Sequence, residues 1–187
     1  MIITAVKALS TTPGSLGIKN RPTWTFVIVE TDEGITGIGE AGCSNQDTAP
    51  ITDMVRTVGT SLIGENPLDI ERLWHKTYRG YTYLGSRGMG TSVVSGIDIA
   101  LWDIKGKVLG LPVYDLLGGP VRDSIPMYRG FRGDDTPEDF ARAARETVAT
   151  GFTTLKCCPF EHEMGEYQTS FLDGNISTEG EELAIDK

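Results

Sequence analysis

The side chains of this sequence that are best suited to chemistry lie near two predicted strand ends. Lys156 and Cys158 are two residues apart in a predicted strand over residues 153–158, so both should face the same side of a sheet. Lysine carries a positive charge there, whereas a cysteine in a strand fits a small core hydrophobe. Arg129 follows a predicted strand over residues 124–128 and can pair with a carboxylate through two hydrogen bonds. Solvated surface arginines are nevertheless commoner.

The first part of the chain must position such residues through a sheet followed by helices. Residues 2–9 and 24–40 predict an antiparallel meander, with Gly34 in the left-handed position of a hairpin turn. Residues 51–63 predict a weakly amphipathic helix. Residues 66–78 predict a second one, with an Asn-Pro start and an acid in its first turn. Strands first and helices after them are typical of an α+β unit.

Residues 95–119 predict a long helix, a break, a short second helix and a double-glycine stop. The helical spacing forms one apolar stripe, widened by Ile99 and Ala100, so burial on more than one side is expected. The stripe consists of Val94, Ile97, Leu101, Ile104 and Val108. Asp103 and Lys107 are spaced for an exposed ion pair, and Gly110 suits the left-handed helix stop. Within the stripe, Asp98 is interpreted as a hydrogen-bonded structural acid, with a site carboxylate as the weaker interpretation.

After residue 120 the pattern changes to strand, helix, strand. The helix begins near Thr136, with its buried face marked by Phe140, Ala144 and Val148, and Gly151 ends it. Two strands joined in this way predict a parallel pair with a crossover. We therefore predict two domains, residues 1–120 and residues 121–187. The second would be the start of a larger (β/α) barrel, because two strands and one helix cannot cover both faces of a sheet.

Composition narrows the class of protein. The chain has 187 residues, 39% of them hydrophobic, and a formal net charge of −9 at pH 7. An acidic balance argues against nucleic acid as a partner, and no apolar run approaches the length of a membrane span. The three cysteines do not form a disulfide framework or a zinc-site spacing, which favours a cytoplasmic protein. The two histidines carry little signal: His75 is expected to pack beside Trp74, and His162 lies in an acidic segment.

The whole chain resembles the N-terminal portion of the mandelate racemase and muconate-lactonizing branch of the enolase superfamily. The resemblance is carried by Gly37-Ile38-Gly39-Glu40 after the meander and above all by the long stretch SGIDIALWDIKGKVLGLPVYDLLGG. It implies an α+β capping domain, which consists of an antiparallel meander and then helices. This domain is followed by the first two βα units of an incomplete TIM-type (β/α) barrel. Sugar-acid dehydratases of the galactonate type are the most similar in pattern.

The resemblance also implies a reaction. A base removes the proton next to a carboxylate, and Mg²⁺ stabilises the enediolate. The family's metal ligands follow the third to fifth barrel strands, so none is expected within these residues. Lys156 matches the first lysine of the family's Lys-x-Lys motif, and Cys158 stands where the usual base stands. Lys19, Asn20 and Asn45 fall in the cap loops that set substrate choice, although each alone is more often a solvated loop residue.

We therefore predict the N-terminal part of a Mg²⁺-dependent sugar-acid dehydratase, inactive as the 187-residue chain alone. One alternative is a racemase, epimerase or cycloisomerase of the same superfamily. Another is a catalytically inactive cap module that acts in binding or assembly. The expected partners are a small-molecule carboxylate, namely a sugar acid, and further copies of the chain in a homo-oligomer, with no nucleic acid and no membrane.

Overall fold

A computed structural model describes residues 1–11, 23–43, 48–80, 87–131, 136–157 and 178–186. The chain divides into two compact units, Met1–Val121 and Arg122–Lys187, and each is described by itself. Within the described residues no helix is long and apolar enough to cross a membrane.

The first unit is built on the predicted antiparallel meander. Its strands β1, β2 and β3 lie in the order β1-β2-β3 and span Ile3–Thr11, Trp24–Thr31 and Thr36–Cys43. The turn between β2 and β3 closes with a 3.2 Å hydrogen bond from the N–H of Gly34 to the carbonyl of Thr31. Gly34 has a φ of 77°, so the predicted left-handed turn residue is confirmed.

Among the described residues of the first unit, helices cover one face of this sheet and none covers the other. Strand β2 alternates strictly: Thr25, Val27, Val29 and Thr31 are buried, while the residues between them are not. Helices α1 (Thr48–Thr60), α2 (Ile70–Gly80), α3 (Met89–Leu109) and α4 (Val113–Leu116) follow. The core comprises the buried side chains of the sheet together with those of α1, α2 and α3.

Helix α2 begins later than predicted. Its first residue is Ile70, and the preceding Asn66 accepts a hydrogen bond from the N–H of Leu68 at 3.1 Å. This local turn uses the Asn side chain before the helix starts, because an asparagine oxygen can satisfy a donor two residues on. The helix then continues to Gly80, two residues beyond the predicted end.

Helix α3 confirms most of the predicted apolar stripe, because Val94, Ile97, Ala100, Leu101 and Ile104 are buried. Two predictions for this helix are wrong. Ile99 is 49% exposed, since α3 is covered by the sheet on one side only, and Val108 is 37% exposed in the last turn. Gly110 then ends the helix with a φ of 65°, as predicted.

The contact between α3 and β3 depends on glycine. A methyl group at Gly37 would overlap the carbonyl oxygen of Ala100, and one at Gly39 would overlap that of Gly96. A methyl group at Gly96 would in turn meet Val27 at 2.8 Å. The two backbones therefore approach more closely than any side chain permits, which is a known use of glycine in strands.

The second unit contains the predicted strand, helix, strand order in a shorter form. Its strands β4 (Arg129–Gly130) and β5 (Leu155–Lys156) are parallel, with helix α5 (Pro137–Ala149) between them in the chain. The final helix, α6, spans Thr178–Asp186.

Two details of the second unit correct the sequence analysis. The predicted strand over residues 124–128 is not a strand: this segment is exposed, with Ile125 at 75%, and pairing begins only at Arg129. Alternating apolar residues form a strand only where a partner strand lies beside them, and β5 reaches only to Arg129 and Gly130. Val148 is 52% exposed, whereas Phe140 is buried as predicted.

Candidate functional site

The ends of β4 and β5 form the first candidate site. Arg129 lies beside Leu155, and Gly130 lies beside Lys156. The N–H of Arg129 donates to the carbonyl of Thr154 at 3.1 Å, and the N–H of Phe131 donates to the carbonyl of Lys156 at 3.1 Å. These two hydrogen bonds fix the register, and with it the direction in which each side chain points.

The register separates the two predicted cationic residues. Neighbouring residues in a ladder share a face and successive residues alternate, so Lys156 points to one face of the strand pair and Arg129 to the other. The face of Arg129 is the one covered by α5, because the ring of Phe131 lies 4.9 Å from that of Phe140. Lys156 therefore lies on the face turned away from the helix.

The face that carries Lys156 is here called the open face, and among the described residues no side chain lies close to Gly130 on it. A methyl group added at Gly130 would meet only the carbonyl oxygen of Lys156, at 4.0 Å. The Lys156 side chain is exposed. In a (β/α) barrel the helices lie outside the sheet, so the face turned away from the helix is the interior, where side chains reach the site at the strand ends.

Arg129 is held differently. Its guanidinium lies 5.5 Å from the centre of the Phe152 ring, a cation–π contact on the helix-covered face. The role of Arg129 in substrate binding stays a prediction. Cys158, Lys19, Asn20 and Asn45 lie outside the described residues, as does His162.

A second candidate is a cleft in the first unit that the sequence analysis did not single out. It has a volume of about 510 Å³ and lies between the end of β3 and the start of α3. Its lining comprises Glu40, Ala41, Gly42, Gly88, Thr91, Ser92 and Ser95. The sequence signal was the run of three hydroxyl residues in the first two turns of α3. Hydroxyls are groups that can hydrogen-bond a polyol.

Asp98 belongs to a structural cluster rather than to either candidate. It is half-buried on α3, and this burial raises the pKa of its carboxyl above the ordinary value, helped by the negative charge of Glu71. A hydrogen bond with Trp102 opposes the rise. His75 is exposed, with its ring edge-on to that of Trp74 at 5.0 Å, so the predicted contact of this histidine is confirmed.

No metal centre can be assembled from the described residues, because they contain no group of three or more His, Cys, Asp or Glu side chains placed to hold an ion. Cys157 is a free, exposed thiol. Lys156 can offer electrostatic stabilisation, and the hydroxyls of the cleft beside α3 can offer hydrogen bonds.

The comparisons with known proteins agree with this architecture of an antiparallel meander, a long buried helix and a parallel βα unit. The sequence model of the mandelate racemase / muconate lactonizing enzyme N-terminal domain matches residues 1–118. The chain belongs to this family within the enolase superfamily, and its first unit has the capping-domain fold that the sequence predicted.

Individual relatives extend the similarity beyond the cap. D-galactonate dehydratase from Ralstonia pickettii is 44% identical over 149 residues, which are 80% of this chain and 38% of that protein. A member of the enolase superfamily from Salmonella Typhimurium superposes with a TM-score of 0.81 at 28% identity, covering 99% of this chain and 49% of that one. An enolase from Pantoea ananatis with bound D-gluconate and Mg gives 0.71 at 36% identity, covering 84% and 36%. The chain thus spans well under two thirds of these relatives.

Proposed function

We propose that the protein carrying this chain is a sugar-acid dehydratase. The observation that carries the proposal is the 44% identity, over 149 residues, to a D-galactonate dehydratase. In this proposal residues 1–120 are its capping domain and residues 121–187 begin its (β/α) barrel. The 187-residue chain by itself is inactive, since it spans only 38% of that relative.

Lys156 is the residue of this chain that takes part in the chemistry. Removal of the proton next to a carboxylate by a base leaves an enediolate, whose extra negative charge must be stabilised before the neighbouring hydroxyl takes up a proton from a general acid and departs as water. An ammonium on the open face supplies a fixed positive charge for the substrate carboxylate or the enediolate. The open space beside Gly130 leaves room for a ligand to approach it.

The remaining site residues are assigned by the kind of contact they can make. Cys158 is assigned to packing rather than to the base. Lys19, Asn20 and Asn45 are assigned to contacts of the cap loops with the substrate. Arg129, whose side chain lies on the helix-covered face opposite Lys156, is given no contact with the carboxylate.

Mg²⁺ is the metal that the family resemblance implies, and a solved relative contains it together with D-gluconate. The described residues of this chain do not provide a ligand set for it. Within the proposal, Mg²⁺ would be held by ligands elsewhere in the protein, and it would stabilise the charge of the enediolate.

A racemase or epimerase is the second candidate function, because a lysine at a strand end also suits a reaction that returns the proton. The two activities have different products. A dehydratase consumes the sugar acid and yields a 2-keto-3-deoxy acid, whereas a racemase exchanges the α-hydrogen with solvent and leaves the formula unchanged. Mass spectrometry of D-galactonate and D-gluconate after incubation in D₂O separates them.

The test of the assigned roles uses steady-state kinetics of the complete enzyme with D-galactonate and D-gluconate. Lys156→Met keeps the bulk of the side chain and removes its charge, and we expect kcat/KM to fall by about a hundredfold or more. Cys158→Ala should change it by less than about threefold, as for a small packing residue. Arg129→Met removes a charge from the opposite face and is the matched control, so it should lower kcat/KM much less than Lys156→Met does. A nearly neutral Lys156→Met would contradict the proposal, as would loss of turnover on Cys158→Ala alone.

A further inference from the structure

The strand end that carries Lys156 has few backbone contacts to hold it in place. Strands β4 and β5 contain two residues each, and an isolated pair of strands is at best marginally stable. One of the two hydrogen bonds that fix their register falls on Lys156 itself, whose carbonyl accepts from the N–H of Phe131 at 3.1 Å. The backbone position of Lys156 therefore depends on where Phe131 lies.

The ring of Phe131 is held by helix α5. Its centre lies 4.9 Å from that of the Phe140 ring, and the two ring planes are tilted by 56°. This separation and this tilt fall within the range that aromatic pairs prefer. Phe140 is 7% exposed and is the one buried residue of α5. The helix is thus packed most firmly at the side chain that touches Phe131.

The start of α5 fixes Phe140 in turn. The hydroxyl of Thr136 accepts from the N–H of Asp139 at 3.2 Å, and the carbonyl of Thr136 accepts from the N–H of Phe140 at 3.0 Å. Pro137 occupies the first helical position, where its fixed φ favours the helix. A capped first turn is the least frayed kind of helix start, so it presents the Phe140 ring from a well-defined backbone. A continuous series of contacts therefore leads from the helix start to the carbonyl of Lys156.

We propose that Phe140 is a positioning residue for Lys156 and acts through the ring and the amide of Phe131. This inference rests on the proposed role of the Lys156 ammonium in holding the substrate carboxylate or the enediolate. The packed rings keep the Phe131 N–H against the Lys156 carbonyl, and the Lys156 side chain leaves that same backbone on the open face. A catalytic charge must be placed to within about 0.5 Å, and a displacement of about 1 Å can cost about a hundredfold in rate.

The test is a double-mutant cycle in the complete enzyme, with kcat/KM measured for D-galactonate and D-gluconate. Phe140→Leu keeps an apolar side chain at the buried position and removes the ring, and it should lower kcat/KM by about tenfold. In the Lys156→Met background no charge is left to position, so Phe140→Leu should change kcat/KM there by less than about twofold. A merely structural defect would lower kcat/KM by the same factor in both backgrounds.

Phe131 and Val148 provide the matched controls. Phe131→Tyr keeps the ring at a half-buried position and should retain kcat/KM within about twofold, whereas Phe131→Leu should repeat the loss caused by Phe140→Leu. The losses of the two leucine variants should not add, because both remove the same ring contact. Val148→Ala shortens a 52% exposed apolar side chain of the same helix and should leave kcat/KM unchanged.

The outcomes separate this inference from the proposed function. Thermal unfolding verifies that every variant is folded. If Lys156→Met is severe while Phe140→Leu is neutral, or equally harmful with and without the Lys156 charge, the positioning role is overturned and the proposed function stands. A nearly neutral Lys156→Met would overturn the proposed function and this inference with it.

Discussion

Asp103 and Ile38 join the long helix to the edge of the sheet. The backbone N–H of Ile38 donates to the carboxylate of Asp103 at 2.8 Å, and β3 is an edge strand with no fourth strand beside it in the described sheet. Lys107 completes the connection, because its ammonium lies 2.8 Å from Asp103 and 2.7 Å from the carbonyl of Thr36. One ion pair thus satisfies both a donor and an acceptor of the exposed edge, which is one way in which sheets avoid edge-to-edge association.

The first prediction is that Asp103→Ala destabilises the chain more than Lys107→Ala does. Loss of the carboxylate removes the hydrogen bond to Ile38 as well as the ion pair, at a cost of about 1–2 kcal/mol. Loss of the lysine removes the ion pair and the hydrogen bond to the carbonyl of Thr36 but leaves the Ile38 bond in place, and it should cost only about 0.5 kcal/mol because both lost contacts are exposed. Urea unfolding of both variants measures the difference. Equal effects would mean that the edge hydrogen bond contributes nothing beyond the ion pair.

The second prediction concerns the contact of β3 with α3. Gly39→Ala should lower the free energy of unfolding by about 3 kcal/mol or fold into a rearranged core, since the added methyl overlaps the backbone carbonyl of Gly96. Gly80→Ala is the control, because a methyl there meets nothing within 4 Å. At the end of α2 it should be neutral or stabilising by up to about 1 kcal/mol. Thermal melts of the two variants should separate clearly, and a stable Gly39→Ala protein would refute the close approach.

The third prediction is a loss of stability in acid that depends on Glu65. Hydrogen bonds from Arg72 and Lys76, both at 2.6 Å, lower the pKa of Glu65 to about 2. An unfolded glutamate titrates near pH ~4.3, so the folded state holds the proton more weakly. The stabilisation is therefore present above pH ~4.3 and is lost as the pH falls towards about 2.

Glu65→Gln should flatten this part of the stability curve, measured by urea unfolding between neutral pH and pH ~2. Glu181→Gln on α6 is the matched control, because it makes the same change of residue type and charge at an exposed position. A Glu65→Gln curve that parallels the wild type throughout would contradict the role of the Glu65 cluster.

The fourth prediction has the opposite sign and concerns Asp98. Burial, together with the charge of Glu71, raises the pKa of Asp98. The folded state thus favours the protonated acid, and the contribution of Asp98 to stability is fully present at low pH and is lost as the pH rises through its folded pKa. Asp98→Asn keeps an acceptor for Trp102 and removes the charge, so it should stabilise the chain at neutral pH and bring no gain below pH ~4. A destabilised Asp98→Asn protein at pH 7 would show that the carboxylate is needed in its charged form.

Local signals in the sequence predicted local structure well. Gly34 and Gly110 adopt the left-handed conformations that their positions require, and the spacing of Asp103 and Lys107 gives the ion pair. These features depend on residues within a few positions of one another. The role of Asp103 at the edge of β3 could not be predicted in the same way, since Ile38 is 65 residues away in the chain.

The sequence does not predict which other strands and helices will pack beside a given strand or helix. Periodicity predicts that α3 has an apolar side, but not that the sheet covers one side alone and leaves Ile99 exposed. Likewise, alternation predicted a strand over residues 124–128, whereas pairing with β5 begins at Arg129. At the candidate site, the alternation of side chains between the two faces of β5 was predictable from the sequence. That Arg129 and Lys156 point to opposite faces could not be predicted in this way, because it depends on the register between β4 and β5.

The ladder between β4 and β5 also restricts how this strand end can change its chemistry. Because Leu155 and Lys156 point to opposite faces, moving the positive charge by one position carries it across the sheet to the side of α5. Moving it by two positions keeps it on the open face, shifted by about 6.6 Å along the strand. Variants of this site can therefore carry other residue types at a given position. A functional group that moves along the strand stays on the open face only if it moves by two positions. A swap of Leu155 and Lys156 would conserve composition, charge and length while placing the ammonium on the wrong side of the strand.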